Sequence, residues 1–185
     1  LVMVYCKLPM SAAADTVYEL VTEDSTPLAA GDNIIIVAKS ANYALSTNQK
    51  SGNRGATAVK KINGTITLGE TTDVQVLKVG IVTSGTDTYK TFYADKGTTG
   101  TVSGYLVAVS KSNSLKTSTT LTELCYTNTS IQVNSDSIAT ILFPKATDLR
   151  YLKYNSASST NLLFSCYTSG QQDICIYREK DVVPA

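Results

Sequence analysis

Apolar positions in this chain come in short runs separated by Ser, Thr, Asn and Gly, and the runs fall into three similar sets. The first set reads Asn33-Ile34-Ile35-Ile36-Val37, Tyr43-Ala44-Leu45 and Val74-Gln75-Val76-Leu77. The second reads Lys90-Thr91-Phe92-Tyr93, Tyr105-Leu106-Val107 and Ser130-Ile131-Gln132-Val133. The third reads Ala139-Thr140-Ile141-Leu142-Phe143, Tyr151-Leu152-Lys153-Tyr154 and Ile174-Cys175-Ile176-Tyr177. Each set is a strand, a tyrosine-led strand, a polar loop and a closing strand. Repetition at a period of about 45 residues means that each unit is one supersecondary piece unable to bury its apolar face alone, so the three must share a core. The pattern therefore predicts that Ile36, Leu45, Val76, Phe92, Leu106, Ile131, Ile141, Leu152 and Ile174 are buried around one pseudo-threefold axis.

Turn signals between the runs support an all-β chain. Gly, Asn, Asp and Ser clusters punctuate the Val-, Ile-, Tyr- and Thr-rich runs at the spacing of a sandwich or barrel. Asn63-Gly64, between Val59-Lys60-Lys61-Ile62 and Thr65-Ile66-Thr67, predicts a hairpin, because both central positions of a type I′ turn need positive φ. Asp15 to Val21 supplies one extra strand before the first unit. The one helical candidate, Asp24 to Ala30, is too short to shape the fold. No linker divides residues 15–185, which read as a single domain.

Composition narrows what such a domain does. Ser and Thr occupy 45 of 185 positions while charged residues make up 17% and the net charge is +1, so the surface is hydroxyl-rich and nearly neutral. With three arginines and no basic run, the electrostatic footprint of a phosphate-backbone binder is missing, and nucleic acid is not an expected partner. The chain has no histidine, which removes the commonest general base and metal ligand. No cofactor is implied. Residues 1–14 combine an apolar run, Leu1 to Cys6, with small residues at Ala12 and Ala14, and read either as the remnant of a secretory signal peptide or as an edge strand. No stretch approaches the roughly 20 apolar residues of a transmembrane helix. Cys125, Cys166 and Cys175 form no C-x-x-C pair; Cys166 and Cys175 lie inside strand runs, and the three read as buried thiols, with a Cys166 to Cys175 staple as the alternative.

Three units of this order resemble a β-trefoil, a closed six-stranded barrel capped by three hairpins. The segments Tyr18 to Val21, Leu28 to Val37, Asn42 to Ser46, Leu149 to Asn155 and Phe164 to Ile174 are also similar to domains appended to secreted proteins of gut bacteria. The resemblance covers residues 15–180 and implies a noncatalytic, lectin-like module, secreted or at the cell surface, as part of a larger secreted protein. Its implied partner is a glycan or cell-surface polysaccharide. Ricin-type trefoil lectins carry a Q-x-W in each unit, whereas this chain has no tryptophan and has Val76, Val133 and Ile176 near those places. A second resemblance, of Thr22 to Ile34 to the opening of Kunitz-type trefoil protease inhibitors, gives an alternative reading, although the inhibitors' cysteine spacing is not matched. A structural or adhesive accessory domain is the third.

The residues that carry chemistry are few. Scattered carboxylates form no glycosidase-like pair, and no serine has a base in a supporting motif, so the chain is not expected to be an enzyme. Asn48 to Arg54 in the first unit supplies amides and an arginine suited to hydroxyls or a carboxylate, with Asn53 and Arg54 as the contacts. In the third unit Tyr154, Asn155, Tyr167, Gln171 and Asp173 combine aromatic faces with amides and a carboxylate, a set on which a sugar ring stacks. The second-unit counterpart, Ser110 to Ser114, has no aromatic residue.

Overall fold

The computed structural model describes residues 15–95, 103–148, 150–156 and 158–181. The leader-like residues 1–14 lie outside these. Among the described residues the chain is all-β, fifteen antiparallel strands and one 3-10 turn at Glu123–Cys125. Eight of the nine expected runs contribute strand residues in place; the first unit's closing run does not, since Val74 makes only an isolated bridge to Ser46 and Leu77 begins the next strand. The first unit contributes β2 (Asn33–Ala38), β3 (Tyr43–Lys50) and β4 (Asn53–Ala58), preceded by β1 (Thr16–Leu20) and followed by β5 (Thr65–Leu68) and β6 (Leu77–Ser84). The second contributes β7 (Asp87–Ala94), β8 (Gly104–Val109), β9 (Ser112–Ser118) and β10 (Gln132–Val133). The third contributes β11 (Ala139–Thr140), β12 (Leu142–Phe143), β13 (Arg150–Asn155), β14 (Leu163–Tyr167) and β15 (Ile174–Glu179).

Within each unit three consecutive strands form an antiparallel meander: β2·β3·β4, β7·β8·β9 and β12·β13·β14. The stretches expected to be polar loops are thus the second arms of hairpins. Pairing with the preceding arm makes them strands, and tight turns supply the reversals: Ser51 and Lys111 adopt positive φ of 53° and 64° in the β3–β4 and β8–β9 connections. The last arms of the three hairpins meet. β14 pairs with β4 through Leu163–Gly55 and Phe164–Arg54, and β9 packs against both.

The remaining strands pair in the order β7-β6-β2-β15-β11-β10. The expected closed barrel is not formed as a continuous sheet: β10 does not pair with β7, and the chain ahead of it joins β7 through the isolated bridge Lys90–Thr127, hydrogen bonds from Thr127 and Thr129, and the stacked pair Tyr89–Tyr126. Asn63-Gly64 makes the expected turn, with φ of 49° and 73° and Ile62 paired with Thr65, but β5 then pairs with β1 rather than extending that hairpin.

Two apolar clusters hold the strands. The larger contains Ile36, Leu45, Phe92, Leu106, Ile141, Leu152 and Ile174, seven of the nine anticipated core residues, and Ile131 packs against its edge. Val76 is only partly buried and belongs to the margin of the smaller cluster, while Leu77 beside it enters the main core. The smaller cluster lies on the opposite face of β2 and β15, where Ile35, Val37, Cys175 and Tyr177 meet Tyr18, Ile66 and Leu68 from β1 and β5. Burial on both faces explains why Ile34 to Ala38 and Ile174 to Tyr177 read as unbroken apolar runs. Cys125, Cys166 and Cys175 are buried free thiols, and burial pushes the Cys166 and Cys175 thiols well above their usual range.

Candidate functional site

Alternation along β13 decides which third-unit side chains reach solvent. Leu152 and Tyr154 share one parity and point into the core, so Tyr151 and Lys153 share the other and face outward, both half-buried. Tyr154 is 1% exposed, stacked on Tyr43 with ring centroids 6.2 Å apart and tilted against Phe164 at 5.2 Å. Its ring is a core element. Tyr167 is 7% exposed, and its hydroxyl accepts a 2.8 Å hydrogen bond from Asn155 Nδ2; burial raises its phenol pKa. Asn155 therefore fixes Tyr167 at the rim.

The outward face of β13 forms the floor of a cleft of about 250 Å³ whose walls are Thr140 of β11 and the loop Thr168 to Gly170. Gly170 and Gln171 in succession adopt left-handed φ of 75° and 65°, a reversal that turns the chain from β14 toward β15 and shapes that wall. Asp173, just before β15, accepts a 2.8 Å hydrogen bond from Lys153 Nζ. The pair is partly exposed, leaving the second carboxylate oxygen and the remaining ammonium protons for other partners. The cleft thus brings together the Tyr151 phenol, the Thr140, Thr168 and Ser169 residues and the Lys153 ammonium, whose partner Asp173 lies beside it.

The first-unit residues lie elsewhere. Arg54 is 0% exposed. Its Nη2 donates to the Ser46 carbonyl at 2.7 Å and to Gln75 Oε1 at 2.8 Å, and burial lowers its pKa to about 10. Asn53 is partly buried at the β3–β4 turn, where its carbonyl accepts from Gln49 Nε2 at 2.9 Å. None of the sequence-predicted residues lines the cleft: Asp173 reaches it through Lys153, Gln171 follows Gly170 of its wall, Asn155 and Tyr167 bond to each other, Tyr154 is in the core, and Asn53 and Arg54 belong to a separate hairpin. Tyr151 and Lys153 are the residues the sequence reading passed over. The signal was present: Leu152 was already assigned to the core, and strand parity then sends Tyr154 inward with it.

A larger cleft of about 370 Å³ opens beside β1 and β15, where both cations are paired and the carboxylates of Glu179 and Asp181 leave it acidic. Arg178 pairs with Asp32 at 3.3 Å, Lys180 with Glu19 at 3.1 Å, and Asn33 donates to Glu179 at 2.6 Å. No group of three or more metal-ligating side chains occurs among the described residues, and no helix there is long and apolar enough to cross a membrane. No protein-family model matches the chain, and no curated protein matches it.

Proposed function

We propose that this chain is a noncatalytic binding module of β-trefoil-like architecture that takes a neutral carbohydrate in the third-unit cleft. The observation that carries the reading is the convergence there of Tyr151, Lys153 and the residues Thr140, Thr168 and Ser169, with Asp173 held against Lys153 beside the cleft. A sugar ring offers the matching chemistry, one apolar face to lie on the phenol and vicinal hydroxyls to exchange hydrogen bonds with the rim. The trefoil reading is supported by three meanders of the same order whose last arms meet at β4, β9 and β14, with Lys90–Thr127 as the bridge that would complete a barrel. The setting that fits is a secreted or surface-attached protein, where a neutral hydroxyl-rich face meets polysaccharide.

A glycan array probed with the full chain tests the reading. The expected result is a small set of neutral glycans whose binding weakens by about 1 to 3 kcal/mol in Tyr151→Ala and in Asp173→Ala, with the fold intact by circular dichroism. Affinity should change little between low and moderate salt, because no large charge is neutralised on binding. Absence of any glycan, together with inhibition of a protease by the chain, would transfer the assignment to the inhibitor class.

A further inference from the structure

One edge of β6 is covered for only part of its length. On its other edge β7 pairs with it from Lys78–Tyr93 to Ser84–Asp87 in a single unbroken register. β2 reaches β6 at Leu77 and Lys78 alone. The turn ahead of β2 then takes over: the Val79 amide donates to the Asp32 carbonyl at 2.8 Å, and the Val79 carbonyl accepts from the Gly31 amide at 2.8 Å. Backbone groups of alternate residues point to the same edge of an antiparallel strand, so Ile81 and Thr83 present their N–H and C=O groups on the same side as Val79. No backbone partner meets them among the described residues. Two donors and two acceptors of the ladder therefore stand open in a row.

Edge strands of monomeric proteins are usually blunted by a charge, a proline or a bulge. The stretch Gly80-Ile81-Val82-Thr83-Ser84 has none of these, and Ile81 within it is 52% exposed. The two ends of the open stretch decide what matches it. One end is closed at Val79 by Gly31 and Asp32, and at the other the chain reverses at Gly85, whose φ is 64°. A second copy of the same edge meets both limits in one register. About a two-fold axis at Val82, Ile81 of each copy lies opposite Thr83 of the other, and the two pairs exchange four hydrogen bonds. The next such pair would set the closed Val79 against Gly85, where the second copy has already turned away, so the open length and the pairing length coincide. Side chains agree with that register: Val82 stands directly opposite Val82 on one face, and the two Ile81 side chains are diagonal neighbours on the other. No charge lies within the paired stretch, and a net charge of +1 gives two copies little to repel.

We propose that the open edge of β6 is a self-association site, where two copies of the chain pair antiparallel through Ile81 and Thr83 to form an isologous dimer. The contact shares no residue with the third-unit cleft, so its fate is independent of carbohydrate binding. So short a contact gives a weak dimer that forms with rising concentration. Sedimentation velocity on the full chain from about 10 μM to about 1 mM should show monomer passing to dimer. Ile81→Lys sets a charge on the edge, and Thr83→Pro removes an N–H that β7 does not use; each should weaken the dimer about tenfold or more with the circular dichroism spectrum unchanged. Ile62→Lys, at a position 54% exposed in another hairpin, should dimerise like the wild type. Val82→Cys should form a disulfide-linked dimer under mild oxidation, because directly opposed residues of this kind come within disulfide reach and the native Cys125, Cys166 and Cys175 are buried. A wild-type chain that stays monomeric throughout overturns the proposal. So does a dimer of undiminished strength in Ile81→Lys and Thr83→Pro, an equal loss in Ile62→Lys, or a dimer that Val82→Cys fails to cross-link. If Thr83→Pro does not fold, Ile81→Lys and the cross-link decide.

Discussion

The hairpins β3–β4 and β13–β14 are both middle and last arms of three-stranded meanders and pair with each other, yet they differ in how much polar chemistry they bury, although β13–β14 buries Arg150 and Ser165 and β3–β4 buries Ala44 and Leu45. β13–β14 fills its side of the cap with Leu152, Tyr154, Phe164 and Cys166. β3–β4 fills its own with Ser46, Thr47 and Arg54, joined by Gln75 from the closing segment. The cross-strand pair Phe164–Arg54 is the boundary between the two. A repeat can thus keep one backbone plan while its units specialise. Strand pairing and the shared apolar core maintain the plan, and the interior of each hairpin is free to diverge as long as its polar groups are satisfied.

The sharpest test of that contrast removes the two boundary residues in turn. Phe164→Ala should destabilise the protein by about 3 to 5 kcal/mol, the cost of a large cavity in a packed core. Arg54→Met exchanges a buried cation for an apolar side chain and should cost less, about 2 kcal/mol or below, because the lost hydrogen bonds to Ser46 and Gln75 are offset by the charge no longer buried. Denaturant unfolding of both variants measures the difference. Equal losses would mean that the polar hairpin carries as much of the fold as the apolar one.

The third hairpin extends the comparison. At the start of β8 a Cβ on Gly104 would stand 2.2 Å from the Ser118 carbonyl oxygen, so Gly104→Ala must push the backbones of β8 and β9 apart. A loss of about 1 to 3 kcal/mol follows, read as a drop in Tm of about 2 to 4 °C per kcal/mol for a chain of this size. A neutral outcome would show that this hairpin is held by neither chemistry.

The smaller cluster should fail first in alkali. Burial, with Glu179 beside Tyr18 and Cys175 beside Tyr177, raises both phenols from about 10 to about 12. A folded chain that holds these protons more tightly than the unfolded chain is at full strength below about pH 10 and loses this contribution as pH rises through about 12. Tyrosinate absorbance and circular dichroism followed together should show Tyr18 and Tyr177 ionising with the loss of structure, and Tyr18→Phe should move the transition upward. The smallest effect belongs to the cleft: Lys153→Ala breaks a partly exposed pair with Asp173 and should change stability by about 1 kcal/mol or less, while altering any ligand affinity more.

Period and turn chemistry made the strand plan legible. All but the run Val74 to Leu77, with the strand at Thr16–Leu20 and the Asn63-Gly64 turn, follow from local pattern, because an apolar run must find a buried face and a type I′ turn must find residues that accept positive φ. What pattern could not supply was the partner of each polar segment. Asn53–Ala58 and Ser112–Ser118 have no apolar alternation, and only pairing with β3 and β8 makes them strands. Arg54 was misplaced for the same reason. A charged residue in a Ser, Asn and Gly context suggests solvent, and the burial that overrides this comes from β14, more than a hundred positions away in sequence. In the third unit residue type singles out Tyr154, whereas parity with Leu152 sends it into the core and turns Tyr151 outward.

The zipping of β1 between β5 and β15 has a mechanical consequence. Tyr18 pairs with Glu179, and the amide of Lys180 donates to the carbonyl of Val17 at 2.8 Å, so the start of β1 and the end of β15 lie side by side. Antiparallel ladder bonds lie across the strands, and tension drawing those two ends apart loads them one after another, like the teeth of a zip. A domain tethered at both of these points would yield by peeling β1 from β15 at low force, with Tyr18 and Tyr177 the first buried side chains to meet water.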